Sequence, residues 1–169
     1  GWTGSFSTLP YLETLVPVLL KLKEKFGPSI YFKVIADQPP AFHLPDLHFT
    51  KWQPETEVAA LQDFHVGLMP LPDDPWTRGK CGFKGLTYMS LGIPAVLSPV
   101  GVNKNIVEHG KNGFLAHTNS DWLYILSQLV ENPELRRKTG AAARKTIEES
   151  YSVKKWESAY VSIFSDLLN

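Results

Sequence analysis

Short apolar segments alternate with segments of helical periodicity along most of this chain, and this alternation restricts the fold more than any other feature. Residues 30–36 (IYFKVIA) form a nearly continuous apolar run, typical of a parallel strand covered on both faces. Further strands are predicted at residues 47–51, 65–70, 94–98 and 114–116, with shorter helical segments between them. Strands that alternate with helices predict a single α/β domain, in which helices cover both faces of a mostly parallel sheet.

Helical patterns are strongest at the two ends of the chain. The first helix is predicted over residues 9–26, with a kink or a split at Pro17. Three closing helices give a helical C-terminus: one over residues 121–131 with Asn119 or Ser120 as its cap, one beginning at Pro133, and one capped by Ser152. One face of the last helix carries Trp156, Tyr160, Ile163, Phe164 and Leu167. That face is expected to be a core stripe or to reach a partner domain.

Composition removes several classes of protein. A chain of 169 residues that is 43% hydrophobic is long enough for one globular domain. Lys and Arg total 17 and Asp and Glu total 17, so nucleic-acid binding through overall charge is disfavoured, while a local basic pocket stays open. The single Cys81 excludes an internal disulfide, and no apolar run approaches the length of a membrane span.

The opening Gly-Trp-Thr-Gly-Ser has no initiator Met and resembles the end of a strand entering a turn. We therefore expect a fragment of a longer protein. Cysteine usage and the lack of a signal-like segment predict a cytoplasmic location, with peripheral membrane contact through a missing domain as the alternative.

Three polar, glycine-bearing loops follow predicted strands, at residues 4–5, 70–85 and 98–103. Ligands of open parallel sheets bind beyond the carboxyl ends of the strands, where such loops gather. The middle loop places Arg78, Lys80 and Lys84 among three glycines directly before a predicted helix, a pattern that favours a phosphate or diphosphate site. The alternative is a set of solvated cations beside turn-forming glycines. Neither G-x-G-x-x-G nor G-x-x-x-x-G-K-[ST] occurs.

Residues 79–96 (GKCGFKGLTYMSLGIPAV) resemble the signature of the group 1 glycosyltransferases of the GT-B fold. In that family an acidic residue, an F-G turn and E-A-M-A-x-G-x-P-V-V span the donor-sugar site. Residues 98–103 and 106–115 resemble the family's downstream loop, helix and turn. Residues 1–5 resemble the first strand and turn of its C-terminal domain, so the resemblance covers nearly the whole chain.

The resemblance implies a Rossmann-like three-layer α/β/α domain that forms one half of a GT-B fold. Residues 1–169 would be the domain that binds the nucleotide-sugar donor, and an N-terminal acceptor domain of the full-length chain would be its partner. The implied reaction is glycosyl transfer with retention of configuration to a glycan or lipid-linked acceptor, without an essential metal. The isolated fragment is expected to bind donor weakly and to catalyse little.

The resemblance also assigns roles to individual residues. Gly4 and Ser5 would lie close to the phosphates, Gly82, Phe83 and Lys84 would supply amides to the distal phosphate, and Thr87 would face the ribose. Lys51 and Trp52 end the strand that flanks the base. Trp52 is expected to cover the base or, as the alternative, to pack as a rim residue on its own helix.

Two acidic positions of the family are lost in this sequence. The second glutamate, which holds the ribose hydroxyls, falls on Thr87, a neutral and weaker partner. The first falls on Gly79, so its contact with the sugar must come from Asp73 or Asp74, or be absent. A solvated turn is the alternative for that acidic pair.

A third departure concerns charge. The family commonly carries an Arg and a Lys after the first strand, whereas residues 5–11 contain no cation. We infer that Lys80, Lys84 and Arg78 take over that charge as stabilisers of the leaving diphosphate.

Two other functions stay open at this point. A degenerate, non-catalytic nucleotide-binding or scaffold module could have kept the fold and lost the glutamates. A sugar-nucleotide epimerase of GT-B architecture needs paired carboxylates beside the anomeric carbon, and no clear pair is present. The five histidines show no metal-ligand spacing, and Cys81 has no identifiable base partner.

Overall fold

The computed structural model describes residues 1–166, which form alternating strands and helices. The strands are β1 (Trp2–Gly4), β2 (Phe32–Ala36), β3 (Leu47–Lys51), β4 (Gly67–Met69), β5 (Ala95–Leu97) and β6 (Phe114–Leu115). The helices are α1 (Leu9–Glu13), α2 (Val16–Phe26), α3 (Glu57–Leu61), α4 (Pro75–Arg78), α5 (Phe83–Ser90), α6 (Asn103–Ile106), α7 (Asn119–Glu131), α8 (Pro133–Thr146) and α9 (Val153–Asp166). The predicted order of elements is confirmed except in the loop predicted at residues 70–85, where Asp74 caps the short helix α4. Most strands are shorter than their apolar runs.

The strands form two parallel three-stranded sheets, ordered β1-β2-β3 and β4-β5-β6. They meet along β1 and β4, where the Leu68 N–H donates to the Gly1 carbonyl over 2.9 Å. The strands therefore follow the order 3-2-1-4-5-6 of a doubly wound fold, and the order reverses between β1 and β4. Ligands of such folds bind at that reversal, outside the carboxyl ends of the strands.

Alternate side chains of the strands pack into two hydrophobic layers, one on each face of the sheet. Val34 packs with residues of α1, α2 and α7, while its neighbour Ile35 packs on the opposite face with residues of α3, α5 and α8. Val96 and Leu97 divide in the same way in β5. Successive residues of a strand point to opposite faces, so this division confirms the predicted sheet with helices on both sides.

The first helical segment is split, as the proline predicted. The break between α1 and α2 lies at residues 14–15, so Pro17 falls in the first turn of α2. Proline is tolerated there because the first N–H groups of a helix have no partner within it.

The cap of α7 differs from the prediction of Asn119 or Ser120. Thr118 is the N-cap: its hydroxyl accepts the Asp121 N–H, and the Asp121 carboxylate accepts the Thr118 N–H in return. This reciprocal pair satisfies two N–H groups at once, which starts the helix two residues earlier than predicted. Ser152 does cap α9, because its hydroxyl accepts the Lys155 N–H.

The prediction that the apolar face of α9 forms a core stripe is wrong for its described part. Trp156, Tyr160, Ile163 and Phe164 are all exposed, and Leu167 lies outside the described residues. Periodicity identifies an apolar face but does not identify what covers it. Within residues 1–166 no helix has both the length and the apolar character needed to cross a bilayer.

Tyr88, on α5, links the two halves of the sheet. Its fully buried hydroxyl accepts the Thr3 N–H over 3.0 Å and donates to the Leu68 carbonyl over 3.2 Å. In a continuous ladder the Thr3 N–H would bond to the Leu68 carbonyl directly. The hydroxyl thus stands in the place of that rung and spreads β1 from β4, and burial raises the pKa of the phenol.

We predict that Tyr88→Phe destabilises the protein by about 1–3 kcal/mol, because it leaves a buried N–H and a buried carbonyl without their partner. Urea denaturation measures the change in the free energy of unfolding. The control is Tyr124→Phe on exposed α7 surface, which should change that free energy by less than about 0.5 kcal/mol. Equal losses in the two variants would show that the Tyr88 hydroxyl does not join the sheets.

Candidate functional site

A cavity of about 380 Å³ opens at the carboxyl ends of β1, β2 and β3, against the first two turns of α5. It therefore lies where the strand order reverses, the place at which doubly wound sheets bind ligands. The lining residues are Thr3, Gly4, Ser5, Asp37, Trp52, Glu57, Phe83, Lys84 and Thr87. Six of the residues to which the sequence assigned donor contacts are thus brought together: Gly4, Ser5, Trp52, Phe83, Lys84 and Thr87.

The loop after β1 approaches α5 closely at Gly4. A Cβ at this position would lie 2.7 Å from Lys84 Cε and 2.6 Å from the Trp2 ring. The protein's own side chains therefore already occupy the space that a side chain at this position would need. Gly4 is required so that Lys84 can cross the end of β1.

Lys84 brings the positive charge that the loop after β1 lacks. Its ammonium lies 5.4 Å from the centroid of the Trp2 ring and forms no ion pair with any residue in the described range. Burial lowers the pKa of Lys84, and repulsion from Lys80 lowers it further. A half-buried, uncompensated cation in a cavity is suited to binding an anion.

The start of α5 adds backbone donors beside Lys84. Gly82 caps the helix in the left-handed region, with φ 72°, and a Cβ there would lie 2.4 Å from the Ile106 side chain. Behind it, the Asn103 amide donates to the Ser98 carbonyl over 2.9 Å, which fixes the loop after β5. The first N–H groups of α5 have no partner within the helix, and its dipole favours negative charge. Gly82 itself does not line the cavity.

The other two cations of the middle loop are engaged elsewhere. Arg78 forms a 2.7 Å ion pair with Asp73, and that bond lowers the pKa of the Asp73 carboxyl. The Lys80 ammonium lies 5.4 Å from the Tyr11 ring and 5.9 Å from the Trp76 ring. Neither cation lines the cavity, so Lys84 is its cationic side chain.

The two acidic positions of the family are replaced as the sequence indicated. Gly79 ends α4, and the nearby Asp74 accepts the Thr77 N–H as the helix cap. Thr87 does line the cavity, but its hydroxyl donates to the Phe83 carbonyl over 2.9 Å. No carboxylate therefore occupies either family position.

Trp52 and Lys51 lie at the far side of the cavity, at the end of β3. The Trp52 N–H donates to the Ala36 carbonyl over 2.8 Å, which fixes the start of the loop. Its half-exposed indole lines the cavity, whereas Lys51 does not. An aromatic face at this position can stack on a nucleobase.

Asp37 and Glu57 line the cavity without having been identified from the sequence. Asp37 directly follows β2, the position at which dinucleotide-binding folds often carry an acidic residue. That position was the available signal for Asp37. Nothing in the sequence separated Glu57 from the other surface glutamates.

A second, apolar cavity of about 300 Å³ opens between α2 and α7, beside the amino ends of β2 and β4. It lies at the edge of the sheet opposite to the one that binds ligands in such folds. Among residues 1–166, no group of three or more His, Cys, Asp or Glu side chains could hold a metal ion.

Comparison with known proteins agrees with this architecture. The chain is 30% identical over 86 residues to N-acetyl-alpha-D-glucosaminyl L-malate synthase of Bacillus anthracis, a match that spans 49% of this chain and 22% of that protein. It superposes on the C-terminal domain of the group 1 family glycosyl transferase LpcC from Francisella tularensis with TM-score 0.67 and 14% identity, over 90% of this chain and 86% of that one.

Anabaena HepE, solved in complex with UDP and glucose, matches over 98% of this chain and 48% of its own, with TM-score 0.74 and 16% identity. The chain thus spans about a fifth of the N-acetyl-alpha-D-glucosaminyl L-malate synthase and about half of HepE. The model of the group 1 glycosyl transferases matches residues 4–132. This chain belongs to the group 1 glycosyl transferases.

Proposed function

We propose that residues 1–169 are the donor-binding domain of a glycosyltransferase and bind a nucleoside diphosphate sugar in the cavity at the β1–β4 reversal. The observation that carries the proposal is the position of Lys84, a half-buried cation without an ion pair to any described residue, beside the first turn of α5. The UDP and glucose bound to HepE support a UDP-sugar as the donor class.

In this proposal the diphosphate lies between the loop after β1 and the start of α5. The Phe83 and Lys84 amides, the helix dipole and the Lys84 ammonium would all act on the negative charge that develops on the leaving diphosphate. These groups would thereby promote cleavage of the bond between the sugar and the diphosphate. Lys80, on the rim, would add longer-range attraction, whereas Arg78 is held by Asp73.

The remaining parts of the proposal follow from family membership. The sugar would be transferred with retention of configuration to a glycan or lipid-linked acceptor held by an N-terminal acceptor domain, without an essential metal. Closure of the two domains would complete the active site, so this domain alone would bind donor and transfer little. A cytoplasmic location, with peripheral membrane contact through the other domain as the alternative, completes the proposal.

A second candidate is a non-catalytic nucleotide-binding module. The observation that favours it is the absence of a carboxylate at Gly79 and Thr87, the two positions where the family carries glutamate. Donor binding by this chain, together with sugar transfer by the full-length protein, would exclude it. Donor binding without transfer would support it.

We predict that Lys84→Ala weakens nucleoside diphosphate binding by more than about ten-fold, because a hydrogen bond to a charged group contributes about 1.5–3 kcal/mol. Calorimetric titration measures the dissociation constant. Lys21→Ala, on the exposed face of α2, is the matched control and should leave affinity unchanged. If Lys84→Ala binds the nucleoside diphosphate with unchanged affinity, Lys84 does not contact the phosphates.

We also predict that affinity falls with rising pH earlier than an ordinary lysine would allow. Burial lowers the pKa of Lys84, so the free protein loses this charge on passing through the lowered pKa, and diphosphate attraction is lost with it. Titrations between about pH 8 and 10.5 would follow the loss. Lys84→Arg should bind with an affinity nearly independent of pH over that range, since a guanidinium stays charged. If affinity falls with pH equally in the unsubstituted chain and in Lys84→Arg, the loss does not come from the charge of Lys84.

A further inference from the structure

The cavity contains two carboxylates, and in one of them both oxygens are free of hydrogen bonds and ion pairs with the described residues. The Asp37 carboxylate accepts the Phe6 N–H over 2.5 Å and so holds the loop that follows β1. Glu57 is the first residue of α3 and is half-buried, and its carboxylate forms no hydrogen bond or ion pair with any other residue of the described range. Its charge is therefore free to interact with whatever enters the cavity.

The side of the cavity near Thr87 lacks a strong acceptor. The Thr87 hydroxyl is neutral and already donates its proton to the Phe83 carbonyl. A pair of ribose hydroxyls needs acceptors, and a carboxylate offers two oxygens with charge-assisted bonds. Glu57 is the cavity side chain that has both oxygens unengaged.

The position of Glu57 separates it from the cationic end of the cavity. Lys84 crosses the end of β1, whereas Glu57 begins the helix that follows β3, and β2 separates β1 from β3 by about 10 Å between their backbones. A ligand that extends across the ends of these strands could place its phosphates toward Lys84 and its nucleoside toward Glu57. A negative charge at this end repels phosphate and attracts neutral donors such as hydroxyl groups.

We propose that the Glu57 carboxylate binds the ribose diol of the donor nucleotide and replaces the carboxylate missing at Thr87. Trp52, on the same side of the cavity, lies against the base. This assignment rests on the proposed function, because it takes the cavity to be the nucleotide site. It makes Glu57 a determinant of the preference for ribonucleotides.

The test compares two ligands in two proteins. Calorimetric titrations use UDP and 2′-deoxy-UDP, with GDP and ADP and their 2′-deoxy counterparts if UDP does not bind. The unsubstituted chain should prefer the ribonucleotide by about ten-fold or more, as expected for a hydrogen bond to a charged group. Glu57→Gln should weaken binding of the ribonucleotide and leave the affinity for the deoxynucleotide nearly unchanged, so that most of the preference for the ribonucleotide disappears.

Two controls make the result specific. Glu55→Gln removes an exposed carboxylate two residues earlier, which does not line the cavity, and should preserve the preference. Asp37→Asn should weaken binding of both nucleotides by a similar factor, because it weakens the acceptor for the Phe6 N–H that holds the loop after β1. Retained binding of the deoxynucleotide by Glu57→Gln shows at the same time that this variant is folded.

The assignment to ribose is overturned if Glu57→Gln keeps the full ribonucleotide preference. It is also overturned if Glu57→Gln weakens binding of the two nucleotides equally. A shift in base preference without a change in the ribose preference would place the carboxylate on the base and overturn it as well. Failure of the unsubstituted chain to bind any nucleotide would instead overturn the proposed function.

Discussion

The site depends on a buried hydrogen-bond bridge between two strands that part from each other. Tyr88 places its hydroxyl between the Thr3 N–H and the Leu68 carbonyl, so the sheet stays connected while its carboxyl edge opens. Gly67 makes this possible, because a Cβ there would lie 2.3 Å from the Tyr88 ring. The same helix that carries Tyr88 also presents Phe83, Lys84 and Thr87 to the cavity. One element therefore joins the two halves of the sheet and supplies the cationic side chain of the cavity.

Opposite charges come from different elements around the cavity. Lys84 and the start of α5 form a positive end, Trp52 provides an aromatic wall, and Glu57 leaves a negative charge near the end of β3. Family members carry cations after the first strand and a glutamate at the position of Thr87. In this chain the cation of the cavity comes from α5 and its carboxylates are Asp37 and Glu57. Under the proposed donor site, Lys84 and Glu57 would take the place of the family's charges. The fold can keep a similar pattern of charge while the residues that create it change.

The sequence predicted the sheet, most of the order of elements and six of the nine residues that line the cavity, because strand runs and the loop of residues 79–96 are local patterns. It missed Glu57, because no local pattern shows that the start of α3 reaches a cavity that is also lined by β1 and α5. It also treated Arg78 as a free cation, whereas Asp73 holds it. The apolar face of α9 is exposed and is not a core stripe of this domain, because periodicity reports amphipathicity and does not identify the partner surface. Contact of that face with a partner domain stays a prediction.

The most direct test of a donor site in this cavity is a calorimetric titration of this chain with UDP, GDP and ADP, each beside its monophosphate. A diphosphate site at α5 predicts saturable binding of one diphosphate and clearly weaker binding of the matching monophosphate, because Lys84 and the first turn of α5 would act on the distal phosphate. Equal affinity for the two forms would contradict a diphosphate site at α5. No binding of any of them at millimolar concentration would contradict a donor site in this domain.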